Sequence, residues 1–486
     1  MFYFSFFTVL ALLVFLSLFL NKKKGNTVLD HITRFSAVMF AVLSIAGLFL
    51  PDLFGCSHEL PNLGKMAETY ATKFHAIVRW LNAVCFTVLP IAVFQKNKYF
   101  EKIACYFCLP MAIVNVACFR QYIAYFTVDS YSGLQTVRLF SKAFKDFLIN
   151  ETFRTVFFGL TCLFQLIALI LLLYRCRAKL LLLKAEIKNL IFIFLGVTYM
   201  SLPIYVPQYL FGHVDIKMIR FSWVHLAWVV LIVAIILVLY LGFQYKPYEA
   251  KYLLVLSMSW ALMLQFSQMF TATAEINVAK LPLQLCNLGS YLALLMLLKK
   301  SNKIFHFTLI VNVVGAIIAI AILDISKNAS HLSRLWVVHY IVEHTKVLVV
   351  PILCLVLRIF NPIEARSIKH FSIGFTWYYL SVFLIGTISN GFYKLYEGEF
   401  IQNTFYVNFL FMFDKETAAS LVGFTAPLFD MFVIKIGIFE IYPVVQLLIY
   451  IVFMSVCLLA YLLIHALTKR QRDDYANHRY LKYGTR

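Results

Sequence analysis

Charged side chains are scarce in this chain, because Asp, Glu, Lys and Arg make up only 14% of its 486 residues. Soluble domains contain about 25% charged residues, and no polar stretch of domain length interrupts the apolar runs of this sequence. Negative charges are scarcer than positive charges, since the chain has 23 acidic and 43 basic residues and a net charge of +20. No RNP-like or zinc-finger motif accompanies that positive charge. The composition therefore excludes a soluble domain and predicts no nucleic-acid partner.

Paired cysteines are lacking as well. The ten cysteines are scattered, mostly inside apolar runs, and do not form a disulfide framework. Cys105 and Cys108 make a CxxC motif, but it lies within a hydrophobic segment and is more typical of packed thiols than of a redox or metal centre. We therefore expect neither a metal ion nor a cofactor.

Apolar runs about twenty residues long, the length that crosses the hydrocarbon core of a bilayer, recur from end to end. Backbone exposed to lipid must form its own hydrogen bonds, which predicts an all-α, multi-pass helical membrane protein. The positive charges of the first run follow it, so we expect a retained span and not a cleaved signal peptide. The thirteen predicted spans are residues 2–20, 35–52, 74–95, 99–120, 154–175, 189–211, 219–244, 252–272, 280–298, 304–323, 335–357, 371–393 and 440–466.

The loop charges predict the orientation of these spans. The odd-numbered loops and the C-terminal tail hold 26 basic and 7 acidic residues, and the rest of the chain holds 17 basic and 16 acidic residues. Loops rich in Lys and Arg stay on the cytoplasmic side of a membrane. We therefore expect a cell-membrane protein with its N-terminus outside and its C-terminus in the cytoplasm.

Two parts of the chain resemble each other. The stretch NAVCFTVLPIAVFQKNKYF at 82–100 aligns with NLGSYLALLMLLKKSNKIF at 287–305, and both begin with Asn and end in N-K-x-F. Six spans per copy would insert both copies the same way up, as two parallel repeats, and the thirteenth span would have no partner.

Three polar side chains of the second half lie at membrane depth, where polar groups are costly and indicate function. Counted from the preceding basic residue at 1.5 Å per residue, His225 lies about 8 Å, Cys286 about 9 Å and His344 about 15 Å into its helix. The loop charges place all three in the outer half of the bilayer, with Glu343 beside His344. The aligned positions of the first half carry no such set, which favours one active half and one scaffold half.

A thiol at this depth suits nucleophilic chemistry if a base can take its proton. His344 or His225 could be that base for Cys286, and Gln284 and Asn287 could orient a carbonyl or stabilise an oxyanion. Such a pair in lipid suits acyl transfer, in which the thiol carries the acyl chain as a thioester.

The start of the helix that holds this thiol is also predicted. Pro282 is typical of the first turn of a helix, which would put Cys286 one turn further in. The helix dipole would then give the thiol only modest help.

Structural interpretations of the same residues remain open. The thiol could be a packing residue and the histidines could be interhelical hydrogen-bonding residues. Glu343 could pair with Lys346 or with a histidine. His339 and His344 are five residues apart, which is poor spacing for one helical face and disfavours a zinc site formed by both of them and His225.

Four stretches of the second half resemble one family of membrane proteins. They are FSWVHLAWVVL from Phe221, LPLQLCNLGSYLALLMLL from Leu281, VVHYIVEHTKVLVVPI from Val337, and the segment from Val407 to the last span. LPLQLC followed at this spacing by a helix with histidines is the most specific part. Over residues 220–466 the chain is thus similar to the YwaF-type bacterial membrane proteins and the animal transmembrane protein 164 family.

The resemblance implies an acyltransferase, since the animal relative moves polyunsaturated acyl chains onto lyso-ether phospholipids. It implies a nucleophile at Cys286 and a histidine partner at His344, and His225 matches the histidine of the family's first helix. Asn408 matches the Asn of an Asn-Tyr-Met sequence, which reads NFLFM here.

We therefore predict a cysteine-dependent membrane acyltransferase that acts on a phospholipid or lysolipid. Its domains would be a degenerate N-terminal scaffold repeat (1–212), a catalytic membrane domain (213–470) and a basic cytoplasmic tail (471–486). The alternatives are a lipid ester hydrolase, in which water replaces the acceptor, a transporter or lipid flippase built on the parallel repeat, and a structural or assembly protein.

Overall fold

The computed structural model describes residues 2–24, 26–49, 70–119, 143, 146–147, 150–201, 216–272, 278–323, 331–332, 335–399, 402–413, 415 and 426–477. The ends of the predicted spans 35–52, 99–120 and 189–211, and the last part of the predicted tail, lie outside these residues. The chain divides into two compact units. The first is Met1–Asp215, Trp260–Ala274 and Ser333–Val338, and the second is Ile216–Ser259, Glu275–Leu332 and His339–Arg486.

Long helices account for the first part of the chain. They are α1 (Phe2–Lys24), α2 (Asn26–Phe49), α3 (Tyr70–Gln95), α4 (Lys98–Ile103, a π turn at Ala104–Cys108, and Leu109–Ala117), α5 (Glu151–Cys176) and α6 (Lys184–Met200).

The remainder of the chain is also helical, with one short hairpin. Its elements are α7 (Trp223–Phe243), α8 (Tyr248–Ala272), α9 (Leu285–Leu298), α10 (Asn302–Phe307, a π turn at Thr308–Asn312, and Val313–Ile322), α11 (Leu335–Val356), α12 (Arg366–Leu395), α13 (Gln402–Phe405), α14 (Ala426–Met431), strands β1 (Ile434–Ile436) and β2 (Phe439–Ile441), α15 (Pro443–Leu467) and α16 (Lys469–Ala476).

The predicted fold class is confirmed. Among the described residues, nine helices are long and apolar enough to cross a membrane, and Trp80–Gln95 and Leu285–Leu298 are shorter apolar helices. The thirteen-span count and the two domains of the predicted repeat stay predictions.

One boundary differs from its prediction for an electrostatic reason. The sequence predicted a span from residue 35, because Asp30 and Arg34 precede the apolar run, but α2 begins at Asn26. Within the first unit the Asp30 carboxylate forms ion pairs with Lys96 and with Arg175, the latter at 3.2 Å. These partners offset the cost of a carboxylate near the membrane, so the helix starts about two and a half turns early.

The same local structure occurs at one point in each unit. Lys96 directly follows α3 and Lys300 lies two residues after α9, and both have a left-handed backbone (φ 50° and 48°). In each case a capped six-residue helical segment follows and leads into a five-residue π turn. The structural offset is 300 − 96, or 204 residues, one less than the offset of the sequence alignment.

Two glycines let α9 pack closely on its neighbours. A Cβ atom at Gly289 would lie 3.0 Å from both Asn312 Nδ2 on α10 and Val347 on α11. A Cβ atom at Gly315 on α10 would lie 2.6 Å from the buried Leu285 side chain. The first turn of α9 is therefore held between α10 and α11.

The hairpin is fixed to the C-terminal end of α12. β1 and β2 pair in antiparallel register, with Lys435 opposite Glu440, and Gly437 takes the positive φ of the turn. The Phe439 ring packs directly on Gly391 of α12, and Lys394 forms an ion pair with Glu440.

Candidate functional site

The thiol of Cys286 lies in the first turn of α9. Gln284 is the N-cap, with extended backbone and no capping hydrogen bond from its side chain, and the Leu288 N–H makes the first helical bond to its carbonyl at 2.9 Å. Cys286 is thus the second helical residue, and the expectation that it lies a turn further in is wrong. Pro282 falls in the turn before the N-cap, because the helix starts three residues later than proline alone suggested.

A buried carboxylate lies next to this turn. The Asn287 amide nitrogen donates to Glu343 on α11, at 2.9 Å from Oε1 and 3.2 Å from Oε2. The amide is oriented by its partner, since only its nitrogen can donate to a carboxylate. Nε2 of His339, one turn before Glu343, lies 2.8 Å from Oε2. Glu343 is therefore held from two sides. The sequence left its partner open, and the structure gives it two partners, His339 and Asn287.

Cys286 belongs to the same cluster. Its side chain is half-buried, and its sulfur lies within electrostatic range of the Glu343 carboxylate and of the Tyr378 hydroxyl on α12. Tyr378 donates to the Leu283 carbonyl at 2.8 Å, which fixes the turn before α9. The thiol thus lies between α9, α11 and α12.

His344 follows Glu343 and is buried. Its Nδ1 lies 2.6 Å from the Tyr340 carbonyl, and the two rings are 4.1 Å apart. A backbone carbonyl can only accept, so Nδ1 carries the proton of the neutral ring and Nε2 is left as the basic nitrogen. The ring is also within electrostatic range of Glu343.

His225 has a different environment. Its Nδ1 accepts from the Phe221 N–H at 3.1 Å, and its Nε2 lies 2.9 Å from the Ile320 carbonyl at the end of α10. Both ring nitrogens are therefore used in backbone hydrogen bonds. These bonds tie the start of α7 to the end of α10 and leave no lone pair for a proton or a metal ion.

A series of aromatic contacts joins His225 to His344. The ring centroids of His225 and Trp228 are 6.1 Å apart, those of Trp228 and Tyr340 are 6.2 Å apart, and those of Tyr340 and His344 are 4.1 Å apart. Trp228 also donates to the Thr345 hydroxyl at 2.8 Å. α7 is thereby positioned against α11 at the level of the cluster.

Asn408 lies in the loop that packs on the C-terminal part of α12. Its Oδ1 accepts from the Phe413 N–H at 3.1 Å, and the Asn390 side chain of α12 bonds to both the N–H and the carbonyl of Val407. This hydrogen bond of Asn408 therefore shapes the loop.

Sequence reasoning missed three residues of the site, which are His339, Asn312 and Tyr378. His339 and Glu343 are four apart, the spacing of one helical face, which could have identified the pair. His339 Nδ1 is buried without a hydrogen-bond partner in the described part of the chain. Asn312 donates to the Leu285 carbonyl at 2.6 Å from the π turn of α10, and no sequence signal marks it or Tyr378.

This geometry combines a nucleophile with groups that stabilise an anion. The N–H groups of the first turn of α9 have no helical acceptor and point toward the end where negative charge is favoured. Cys286 lies among these N–H groups. When its sulfur attacks a carbonyl, the oxyanion that forms on the carbonyl oxygen would therefore meet backbone hydrogen-bond donors.

Comparison with known proteins supports the family that the motifs indicated. No curated protein and no solved structure matches the chain. The TMEM164 family matches over residues 219–465, just over half of the 486 residues. The match includes every candidate site residue, from His225 to Asn408. The chain therefore belongs to the TMEM164 family.

Proposed function

We propose that this protein is a membrane-embedded, cysteine-dependent acyltransferase that moves a fatty acyl chain between lipids. The observation that carries the proposal is the position of Cys286 in the first turn of α9, beside a carboxylate fixed by Asn287 and His339. Ionisable groups at membrane depth are costly and are retained mainly for function. A packing role for the thiol does not account for the buried carboxylate beside it.

In the first step Nε2 of His344 accepts the thiol proton as the sulfur of Cys286 attacks an ester carbonyl of a phospholipid. A carbon–sulfur bond forms, the carbon–oxygen ester bond breaks, and the lysolipid leaves with the proton returned by the imidazolium. Free N–H groups of α9 stabilise the tetrahedral oxyanion.

In the second step the hydroxyl of another lysolipid attacks the thioester and gives its proton to His344. The new ester forms, the carbon–sulfur bond breaks, and the thiol regains the proton. Glu343 would stabilise the imidazolium in both steps, and Asn287 and His339 would position Glu343.

The test is the intact mass of the purified protein after incubation with a phospholipid that carries a polyunsaturated acyl chain. We expect an acyl-sized adduct that hydroxylamine releases. Cys286→Ser should abolish it, and Cys457→Ser, which changes a buried thiol on α15, should not. Absence of any adduct on the folded protein, or an adduct that persists in Cys286→Ser, would refute the proposal.

The histidines have separate expected effects. His344→Gln should slow adduct formation by about 10²–10⁴-fold, the usual contribution of a general base. His339→Gln should slow it less, because His339 acts through Glu343. Equal rates for His344→Gln and the unmodified protein would remove His344 from the reaction.

The product into which the acyl chain is released distinguishes the alternative functions. Transfer to added lysolipid indicates an acyltransferase, and free fatty acid formed at the same rate with or without lysolipid indicates a hydrolase. A transporter has no use for a thioester, so it predicts no adduct.

A further inference from the structure

A groove of about 780 Å³ runs along the second unit between α9, α10 and α12. Its two ends differ in chemistry. One end lies where α10 and α12 begin and is lined by basic residues, which are Lys303, Arg366, Lys369 and His370. The cluster around Cys286 lies toward the other end.

In the part of the chain that the structure describes, no ion pair neutralises the charge of the basic end. The side chains of Lys303, Arg366 and Lys369 are exposed, and among the described residues no ion pair is formed by any of them. All three lie within electrostatic range of His370, and no acidic group acts on that ring. A cluster of Arg and Lys side chains with no acidic partner binds phosphate strongly.

The rest of the groove is apolar. Leu288 and Leu292 line it from α9, and Ile373 and Tyr378 line it from α12. Ile373 is 47% exposed, so part of it presents an open hydrophobic surface. Gly374 lies flush against the Phe307 ring, where a Cβ atom would be only 2.7 Å away. Phe307 and Gly374 both line the groove, so α10 and α12 meet closely at this point of it.

We propose that this groove binds one anionic phospholipid, with its phosphate on Lys303, Arg366 and Lys369 and an acyl chain along Leu292 and Ile373. A basic end joined to an apolar groove has the same division of chemistry as such a lipid. The loop charges place the basic end on the cytoplasmic side, so the lipid comes from the cytoplasmic leaflet.

This lipid is distinct from the acyl donor of the proposed reaction. His370 and Tyr378 are eight residues apart on α12, which is about 12 Å at 1.5 Å per residue. The ester groups of a phospholipid adjoin its phosphate, so they stay near the basic end, while Tyr378 is the groove residue within electrostatic range of Cys286. The groove is therefore a binding site for a second lipid, and it does not depend on the reactivity of the thiol.

The test is native mass spectrometry of the detergent-solubilised full chain, titrated with phosphatidylglycerol or with phosphatidylcholine of identical acyl chains. We expect one phosphatidylglycerol to bind at least about tenfold more tightly than phosphatidylcholine, since each basic residue near an anionic lipid contributes a several-fold change in affinity. Equal affinity for the two lipids would overturn the proposal. Inorganic phosphate at the same concentration should not displace the lipid, and displacement would reassign the cluster to free phosphate.

Variants separate the groove from general surface charge. The triple variant Lys303→Gln, Arg366→Gln, Lys369→Gln should weaken phosphatidylglycerol binding by about 10- to 100-fold. The matched control is Lys188→Gln, Lys469→Gln, Arg470→Gln, which removes three exposed cations elsewhere and should change binding less than about twofold. Equal losses in the two triple variants would show that net charge alone attracts the lipid.

A third variant tests the acyl part of the site. Ile373→Trp fills the groove from an exposed position and leaves every basic residue in place. It should weaken phosphatidylglycerol binding by about tenfold or more, as expected for loss of buried apolar surface. Unchanged binding in Ile373→Trp would restrict the lipid to the headgroup contacts and refute the groove.

Discussion

The hydrogen bond between Asn287 and Glu343 should contribute strongly to the stability of the second unit. The amide nitrogen lies 2.9 Å and 3.2 Å from the two carboxylate oxygens, and Glu343 is only 5% exposed. Hydrogen bonds to charged groups contribute about 1.5–3 kcal/mol. Without Asn287 the buried carboxylate would keep only its contact with His339, so part of its desolvation cost would no longer be offset. Asn287→Leu, which keeps a similar side-chain volume, should therefore destabilise the protein by about 2 kcal/mol.

Asn287→Asp should cost more than Asn287→Leu. It places a second carboxylate about 3 Å from the first, where two unit charges repel by about 5 kcal/mol at an effective dielectric constant of about 20. We expect the unmodified protein to be the most stable, Asn287→Leu to be less stable and Asn287→Asp to be the least stable. This order would indicate a charge interaction. Loss of packing alone would give the opposite order, because Asp is closer to Asn in shape.

A double-mutant cycle isolates this interaction. Asn287→Leu, Glu343→Met and their combination are unfolded in mixed micelles by titration with SDS, followed by tryptophan fluorescence. We expect a coupling energy of about 1.5–3 kcal/mol. A cycle of Glu343→Met with Asn82→Leu is the control, since Asn82 bonds to Asn115 at 2.9 Å in the first unit, and its coupling should be below about 0.5 kcal/mol. A coupling energy below about 0.5 kcal/mol between Asn287 and Glu343 would refute the hydrogen bond assigned to this pair.

Three further changes have expected outcomes. His225→Phe should lower stability by about 1–3 kcal/mol, because two backbone groups lose their partner, and should leave the rate of Cys286 acylation per folded molecule within about threefold in the intact-mass assay. Lys394 lowers the pKa of Glu440 to about 2. The stability difference between the unmodified protein and Glu440→Gln, about 1–2 kcal/mol, should therefore be full above about pH 4.5 and vanish as pH falls to about 2, which thermal unfolding at stepped pH would measure. Gly315→Ala should destabilise by about 1–3 kcal/mol, because its Cβ meets Leu285 at 2.6 Å, and should also slow acylation by moving the start of α9.

The fold class was predictable because hydropathy alone decides it. Residues in lipid must be apolar and helical, so runs of twenty apolar residues leave few alternatives. The boundaries were less predictable, since they depend on partners far away in the chain. α2 extends back to Asn26 because Arg175 and Lys96 pair with Asp30.

The site was predictable in part. Cys286 and Asn287 were identified by their polarity at membrane depth, and Glu343 by its proximity to His344. The bond that joins α9 to α11 was not, because sequence spacing says nothing about which face of one helix meets another. His339 was weighed only as a metal ligand, and its role became visible when the structure showed its Nε2 beside Glu343.

The aligned helices of the two units, α3 and α9, differ in the partners of their polar side chains, which bears on the division into an active half and a scaffold half. In the first unit Asn82 exchanges two hydrogen bonds with Asn115, at 2.9 Å and 2.7 Å, and Asn115 also reaches Gln165 at 3.3 Å. All three are neutral amides, which hold membrane helices together without titrating. In the second unit the matching helix carries Cys286 and Asn287 against a carboxylate and histidines, which cost more to bury and can exchange protons. A network of neutral amides is enough to hold helices together. The network with a thiol, a carboxylate and histidines is therefore the better indicator of chemistry.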